Sequence, residues 1–431
     1  MKQIVWFRRD LRIEDNAILA NSSGEVFPIF IFDPNILSQL PKNDKRITFI
    51  YKSVLNLKSK LQSIGLDLAI FFDKPKNVFE TLKKDFNEVL CSCDYDSYAI
   101  KRDKETEQII PMKRFYDSYL LSPNDGLKSD GKPYKVFTPF YKNLSIVWQS
   151  EKIEEYQTNT NLTLFQYDYK TIPTLEQLGF NESKLPEFLE KSPQNLLEDF
   201  ISKITSYQTD RDYFYKNGTS NLATHLRFGT ISPRQIFNQV AKLDGGEFFI
   251  RELFWREFYA YILYHFPKSE NENFNDKDVK WENDPIKYQA WCEGTTGLPI
   301  IDAAMQHLIN TGLMPNRLRM VVASFLTKNL LCDWRLGEKY FASKLLDFDA
   351  SSNIGSWQWA ASTGADSVPY FRVFNPYLQS AKFDKDALFI KQNLSTYKNK
   401  NPKEIHKENP YAIVDIKNSS KMAIKMFQEV K

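Results

Sequence analysis

The sequence predicts two architectures in one chain: an α/β N-terminal domain with a doubly wound parallel sheet, then an all-α C-terminal domain. Short, continuously apolar runs near the start read as strands buried on both faces, which is how parallel strands look. A segment with three- and four-residue apolar spacing lies between two of them. Strand, helix, strand at this rhythm is the doubly wound unit. From about residue 206 onward the helical spacing takes over.

The strand candidates are residues 3–7 (QIVWF), 25–32 (EVFPIFIF), 67–72 (DLAIFF) and 88–93 (EVLCSC). Between the second and third, Ile47, Ile50, Val54, Leu57 and Leu61 fall at helical steps and Gly65 suits a C-terminal cap, so a helix is predicted over 46–65. This domain is expected to span 1–125. It holds neither G-x-G-x-x-G nor G-x-x-x-x-G-K-[ST], so the usual dinucleotide and P-loop fingerprints are missing. Residues 122–205 are rich in turn formers, as in SPNDGLKSDGKPYK and TNTNLTLFQYDYKTIPT, and 126–205 read as a connector. The domain expected over 206–431 has helical patterns at 232–243, 247–265, 298–310, 315–331 and 337–346, with an amphipathic SSKMAIKMFQEV near the end.

The 42% hydrophobic content is ample for real cores, and aromatics make up 15%. A net charge of +3, from 57 Lys+Arg against 54 Asp+Glu, excludes a histone-like polycation but not a local basic groove. The four cysteines, Cys91, Cys93, Cys292 and Cys332, show no zinc-ligand spacing and read as reduced thiols. MKQIVWFRRDLR is not a signal peptide, and no apolar run approaches the ~18 residues of a membrane span. The expectation is a soluble, cytoplasmic chain with no bound metal.

Four stretches carry candidate chemistry. In FFIRELFWREFYAYILY, Glu252, Trp255, Arg256 and Tyr259 share a helical stripe that offers a carboxyl, an indole and a cation to one pocket. The same stripe also suits a plain amphipathic helix with an internal Glu–Arg pair. In TGLMPNRLRMVVASFL, Asn316 and Met320 are four apart on one face, and Arg317 and Arg319 point elsewhere. In LLDFDASSNIGSWQWAAS, Asp347, Asp349 and Asn353 precede Trp357 and Trp359, whose indoles leave a helix in different directions among small neighbours. The carboxylates there suit pairing with Arg319 or a ribose and adenine better than a metal. In TSNLATHLRFGTIS, Thr219 and Ser220 open a helix and make either an anion site or an ordinary N-cap.

Taken together, WFRRDLRIEDN, YQTDRDYF, GTSNLATHLRFGTIS, RELFWREFY, YQAWCEGTTGLPIIDAAMQHL, MPNRLRMVVASFLTKNLLCDWRLGEKYF and WQWAASTGADSVPYFRVFNP resemble the DNA photolyase/cryptochrome family over essentially the whole chain. The resemblance implies an α/β antenna domain and a helical domain that binds one reduced FAD. It implies light-dependent repair of cyclobutane pyrimidine dimers by electron transfer from excited reduced FAD. Photolyases belong with the enzymes that take a base out of the stack. The dimer-repair pattern of Glu252, Trp255, Asn316, Met320 and Trp359 is complete. The pocket histidines of (6-4) enzymes are absent, since His225, His265, His307 and His406 lie elsewhere. A cryptochrome-type blue-light photoreceptor without repair is the alternative.

By resemblance, Glu252 hydrogen-bonds the dimer from its protonated form, Asn316 touches dimer and flavin, and Met320 packs on the dimer. Trp255 and Trp359 wall the slot for the flipped bases. Asn353 faces flavin N5, Asp347 pairs with Arg319, and Asp349 lies beside the isoalloxazine ring. Tyr207, Thr219, Ser220, Leu222 and Arg256 complete the FAD site, with Ala223 standing where the family usually has Ser. Trp357, Trp334 and Trp281 form the electron-transfer chain to the surface. Arg211, Arg317 and Arg372 match contacts to the DNA backbone of the UV-damaged partner. A second antenna chromophore is allowed for but not identified: Tyr98 and Ala99 stand where folate-binding members often carry Asn-Glu. On family grounds the chain is expected to be a monomer without an obligate protein partner.

Overall fold

The computed structural model describes residues 1–148, 153–169 and 172–430, apart from the side chains of 145–148. Residues 149–152 and 170–171, inside the expected connector, lie outside the described residues. The chain forms two units. One comprises Met1–Asp130, Lys142–Ser202 and Ser220–Leu253; the other comprises Gly131–Tyr141, Lys203–Thr219 and Phe254–Lys431.

The first unit is the doubly wound sheet. Its strands are β1 (Lys2–Phe7), β2 (Glu25–Phe32), β3 (Ala69–Phe72), β4 (Glu88–Ser92), β5 (Met112–Phe115) and β6 (Thr163–Leu164). All pair in parallel in the order β3-β2-β1-β4-β5, and β6 joins β2. The four expected strands are there. β5 and β6 were not foreseen, because MKRF lacks a continuous apolar run and Thr163–Leu164 is too short to show a period. Pro28 sits inside a central strand without harm. On one side β2 pairs with β6 through Glu25 and Val26, then with β3 from Ile29 onward, and Pro28 falls in the gap between them. The helix expected over 46–65 is Lys45–Ser63, capped by Asp44, and buries Ile47, Val54, Leu57 and Leu61.

The charged WFRRDLRIEDN stretch is buried rather than solvated. Arg8 pairs with Asp103 and Arg9 with Asp94. Arg12 and Arg234 both reach Asp117, at 2.7 and 3.0 Å, and Arg234 also meets Asp15 at 2.9 Å. Gly229, at φ +65°, is needed here, since a Cβ would stand 1.9 Å from the Arg9 carbonyl oxygen.

The second unit is helical. Its main helices are Pro285–Glu293, Pro299–Thr311, Asn316–Ser324, Trp334–Lys344, Ala350–Ala360, Pro376–Phe383, Leu388–Asn393 and Ile416–Gln428. Of the Gly246–His265 helix, residues up to Leu253 belong to the first unit and those from Phe254 to the second. The helix expected over 315–331 stops at Ser324 and continues as a π turn, Phe325–Asn329. There Leu330 N–H reaches back to the Phe325 carbonyl, and the Thr327 hydroxyl takes the Ala323 carbonyl at 2.8 Å. Phe325, Leu326 and Leu330 carry the buried apolar run through the turn, so the pattern read as one helix. The helix expected at 337–346 begins earlier, at Trp334, because Asp333 caps it through Arg335 N–H. No helix among the described residues is long and apolar enough to cross a membrane.

Candidate functional site

Four of the candidate tryptophans lie in or against one apolar cluster of the helical unit. Trp334 (1% exposed) and Trp357 (2%) are inside it; Trp281 and Trp359 pack against it, half-buried. The WQW stretch lies on the Ala350–Ala360 helix, so its two indoles diverge. Trp357 turns inward, with its ring centroid 5.0 Å from Phe341 and 5.9 Å from Trp291. It presses on Gly337, where a Cβ would lie 2.2 Å from its Cη2. The Trp334 indole donates to Asn273 Oδ1 at 2.8 Å, and Trp281 meets the edge of Phe427 at 6.0 Å.

The same helix starts at Asp349, whose carboxylate accepts from Ser352 N–H at 3.1 Å and from the Ser351 hydroxyl at 2.6 Å. One turn on, Asn353 is buried and its Nδ2 donates to Glu338 at Oε1 (2.9 Å) and at the carbonyl oxygen (3.1 Å). That leaves Oδ1, an acceptor, for another partner. Burial raises the Glu338 pKa, with the Asn353 hydrogen bond opposing it.

Gly312 ends one helix at φ +76° and Pro315 precedes the next, which begins at Asn316. Asn316 is exposed and Met320, one turn on, is half-buried. Arg319 holds both Asp347 oxygens, at 2.8 and 3.0 Å, and also donates to the Met314 carbonyl. The expected pairing with Asp347 is therefore present, with one guanidinium nitrogen, Nη2, reaching both carboxylate oxygens. Arg317 has a partner that the sequence did not announce: Asp212, at 2.8 Å. Its guanidinium also lies over Phe383.

On the Gly246–His265 helix, Glu252 and Trp255 are one turn apart. Glu252 falls in the sheet unit and Trp255 in the helical unit. Phe137 covers one face of the Trp255 indole, stacked at 3.7 Å and 8°. Phe137 lies in the stretch expected to be connector, and no local period marks it. Arg256 and Tyr259 are half-buried on the same helix. Gly355 lets Tyr259 close on the Ala350–Ala360 helix, since a Cβ there would meet the ring at 2.1 Å.

Tyr207 is buried under the Arg211 guanidinium, and Thr219 is exposed; both belong to the helical unit. Ser220 and Leu222 belong to the sheet unit. The helix there starts at Ala223 with buried Leu222 as its cap and no capping side chain, so the ordinary Ser/Thr N-cap is not what these hydroxyls form. The Ser220 hydroxyl instead accepts from Leu222 N–H at 3.3 Å. Arg372 is exposed. In the sheet unit, the Tyr98 hydroxyl donates to Asp33, just beyond β2, and accepts from Asn35.

A buried carboxamide with a free acceptor, an arginine clamped by a carboxylate and apolar aromatic walls make a donor set that fits a flavin nucleotide. Residues 249–429 match the family model described as the FAD binding domain of DNA photolyase, and residues 3–158 match DNA photolyase. The chain is 34% identical to the deoxyribodipyrimidine photo-lyase of Buchnera aphidicola subsp. Baizongia pistaciae, over 99% of this chain and 98% of that protein. Among solved structures it is similar to an archaeal photolyase from Sulfolobus tokodaii with two FAD molecules. The TM-score is 0.87 at 32% identity, over 99% and 100% of the two chains. It is also similar to a cryptochrome from Synechocystis sp. PCC6803, with a TM-score of 0.88 at 25% identity over 99% of each chain.

Proposed function

The chain belongs to the DNA photolyase family, and from that premise we propose that it is a deoxyribodipyrimidine photo-lyase that repairs cyclobutane pyrimidine dimers in light. The observation that carries this reading is the full-length likeness to a protein of that name. The complete set of Glu252, Trp255, Asn316, Met320 and Trp359 supports it.

FAD, when bound, supplies a light-activated electron that returns once the cyclobutane ring has opened. The protein binds, orients and tunes. Asn353, its Nδ2 taken by Glu338, would have Oδ1 left to accept a hydrogen bond from the reduced flavin. Arg319, held by Asp347, would supply positive charge to the flavin site, and Asp349 would be a further residue holding the cofactor. Tyr207, Thr219, Ser220, Leu222 and Arg256 bind the rest of the cofactor. Trp255, backed by Phe137, and Trp359 are flat walls for the extruded bases. Glu252 hydrogen-bonds the dimer and steadies the negative charge it carries when split, while Asn316 and Met320 seat it. Trp357, Trp334 and Trp281 carry an electron inward from the surface. Arg211, Arg317 and Arg372 hold the DNA backbone and make binding salt-sensitive. The protein acts in the cytoplasm as a monomer on UV-damaged DNA. A second chromophore in the sheet unit has to accommodate the Tyr98–Asp33 pair.

The test is repair itself. The protein, reduced anaerobically, is given an oligonucleotide with one cyclobutane thymine dimer, under blue light and in the dark. Light-dependent return of intact thymines is expected. Absence of repair from a reduced, DNA-binding sample would favour a photoreceptor, the reading that the Synechocystis likeness keeps in play.

A further inference from the structure

The segment that follows the Trp357–Trp359 helix carries Arg372 and is tied to its surroundings at three points. Val368 N–H donates to the Trp359 carbonyl at 3.2 Å. Phe374 N–H donates to the Ser324 hydroxyl at 3.4 Å. Between them, Lys328 Nζ donates to the Arg372 carbonyl at 3.1 Å. Ser324 and Lys328 come from the Asn316–Ser324 helix and the π turn that continues it. Tyr370 faces inward, stacked on Phe427 at 6.3 Å with Lys277 over its ring. Phe371, 60% exposed, and Arg372 face outward.

Lys328 is an unusual choice for its place. It is 0% exposed, and no carboxylate among the described residues pairs with it. Burial, with a smaller contribution from the charge of another cation, Lys277, pushes the amine down to about 7. Burying an ammonium without a counter-charge is costly, and an apolar side chain would fill the space at less cost. What lysine adds is a donor at the end of a long stem, aimed at one carbonyl.

We propose that Lys328 is a positioning residue for DNA binding: by holding the Arg372 carbonyl it sets where the Arg372 guanidinium meets a DNA phosphate. The carbonyl and the guanidinium share one Cα, so moving the first displaces the second. The proposal rests on the reading of Arg372 as a backbone contact.

The test is a double-mutant cycle on the FAD-loaded protein, with affinity for a dimer-containing duplex measured over a salt series. Arg372→Ala is expected to weaken binding and to lower the salt slope by about one. Lys328→Met is expected to weaken binding about three- to tenfold and to lower the slope likewise, with no further loss in the Arg372→Ala background. An equal loss in both backgrounds would mean general damage to the fold and would overturn the proposal. Parent-like binding by Lys328→Met, with Arg372→Ala impaired, would overturn it while leaving Arg372 as a phosphate contact. Parent-like binding by Arg372→Ala would remove the reading and the proposal together. If Lys328→Met does not fold, Lys328→Gln, which keeps a donor on a shorter stem, goes through the same cycle. Coupling to Arg372 then supports the proposal and additivity overturns it.

Discussion

Glu252 and Asn353 show how far single residues could be read from the chain. Their types and spacings were visible, but the neighbours that orient them were not. Glu338 takes the Asn353 amide from a different helix, Asp212 takes Arg317, and Phe137 covers Trp255. None of these partners lies at a helical step from the residue it serves, so no period could expose them. The chemistry assigned to Glu252 leads to a prediction about one atom. If it acts as a hydrogen-bond donor to the dimer, Glu252→Ala loses the donor and Glu252→Gln keeps one in its amide. A hydrogen bond to a charged group is worth about 1.5–3 kcal/mol, so Glu252→Ala is expected to lower the repair yield roughly ten- to a hundredfold. Glu252→Gln is expected to recover most of it. Repair per absorbed photon, measured at saturating dimer, decides; equal yields for Ala and parent would remove Glu252 from the mechanism.

Among the elements, the apolar strands and the long helices were legible because each has its own period, and the exceptions have local causes. β5 is a polar edge strand, and the π turn at Phe325–Asn329 hides inside an apolar run. The helix that carries WQW was legible only as an oddity of composition, because Gly355 and its small neighbours weaken any helical pattern. Those small residues serve close packing between helices. Gly337 is the tightest case: an added Cβ would stand 2.2 Å from Trp357 Cη2 and 2.6 Å from Leu326 Cδ2. Neither atom belongs to a flexible chain end in open space, since both side chains are buried. Gly337→Ala is therefore expected to destabilise the helical unit by about 1–3 kcal/mol through overpacking, despite the better helix propensity of Ala. A thermal melt reads the loss. Because the displaced ring is Trp357, light-driven reduction of the bound flavin is expected to slow as well, and an unchanged rate would argue that Trp357 does not feed it.

For the whole molecule, the sequence carried the order of sheet and helices but not which distant segments share a core. Residues 220–253 pack with the sheet unit although nearly half the chain separates them from β1. The link is a buried charge network, Arg12 and Arg234 around Asp117; His225 lies on the preceding Ala223–Phe228 helix of the same unit. His225 is 4% exposed, accepts or donates one hydrogen bond with Thr230, and packs against Phe49. Burial lowers its pKa from 6.5 to about 4. Above about pH 6.5 the imidazole is neutral in folded and unfolded chains alike. Between there and about pH 4 the unfolded chain takes up a proton that the folded one refuses. The stability His225 contributes is thus present above its unfolded pKa and lost as pH falls, by on the order of 3 kcal/mol. Asp10 acts in the opposite sense: burial and Asp117 raise it to about 6, so its folded form gains a proton as pH falls. The measurement is therefore a difference, denaturant unfolding of the parent against His225→Gln across this range. The parent is expected to lose ground to the variant as pH drops, because the Asp10 contribution is common to both. A difference that stays flat would mean that the imidazole is already charged, or reaches water, within the folded sheet unit.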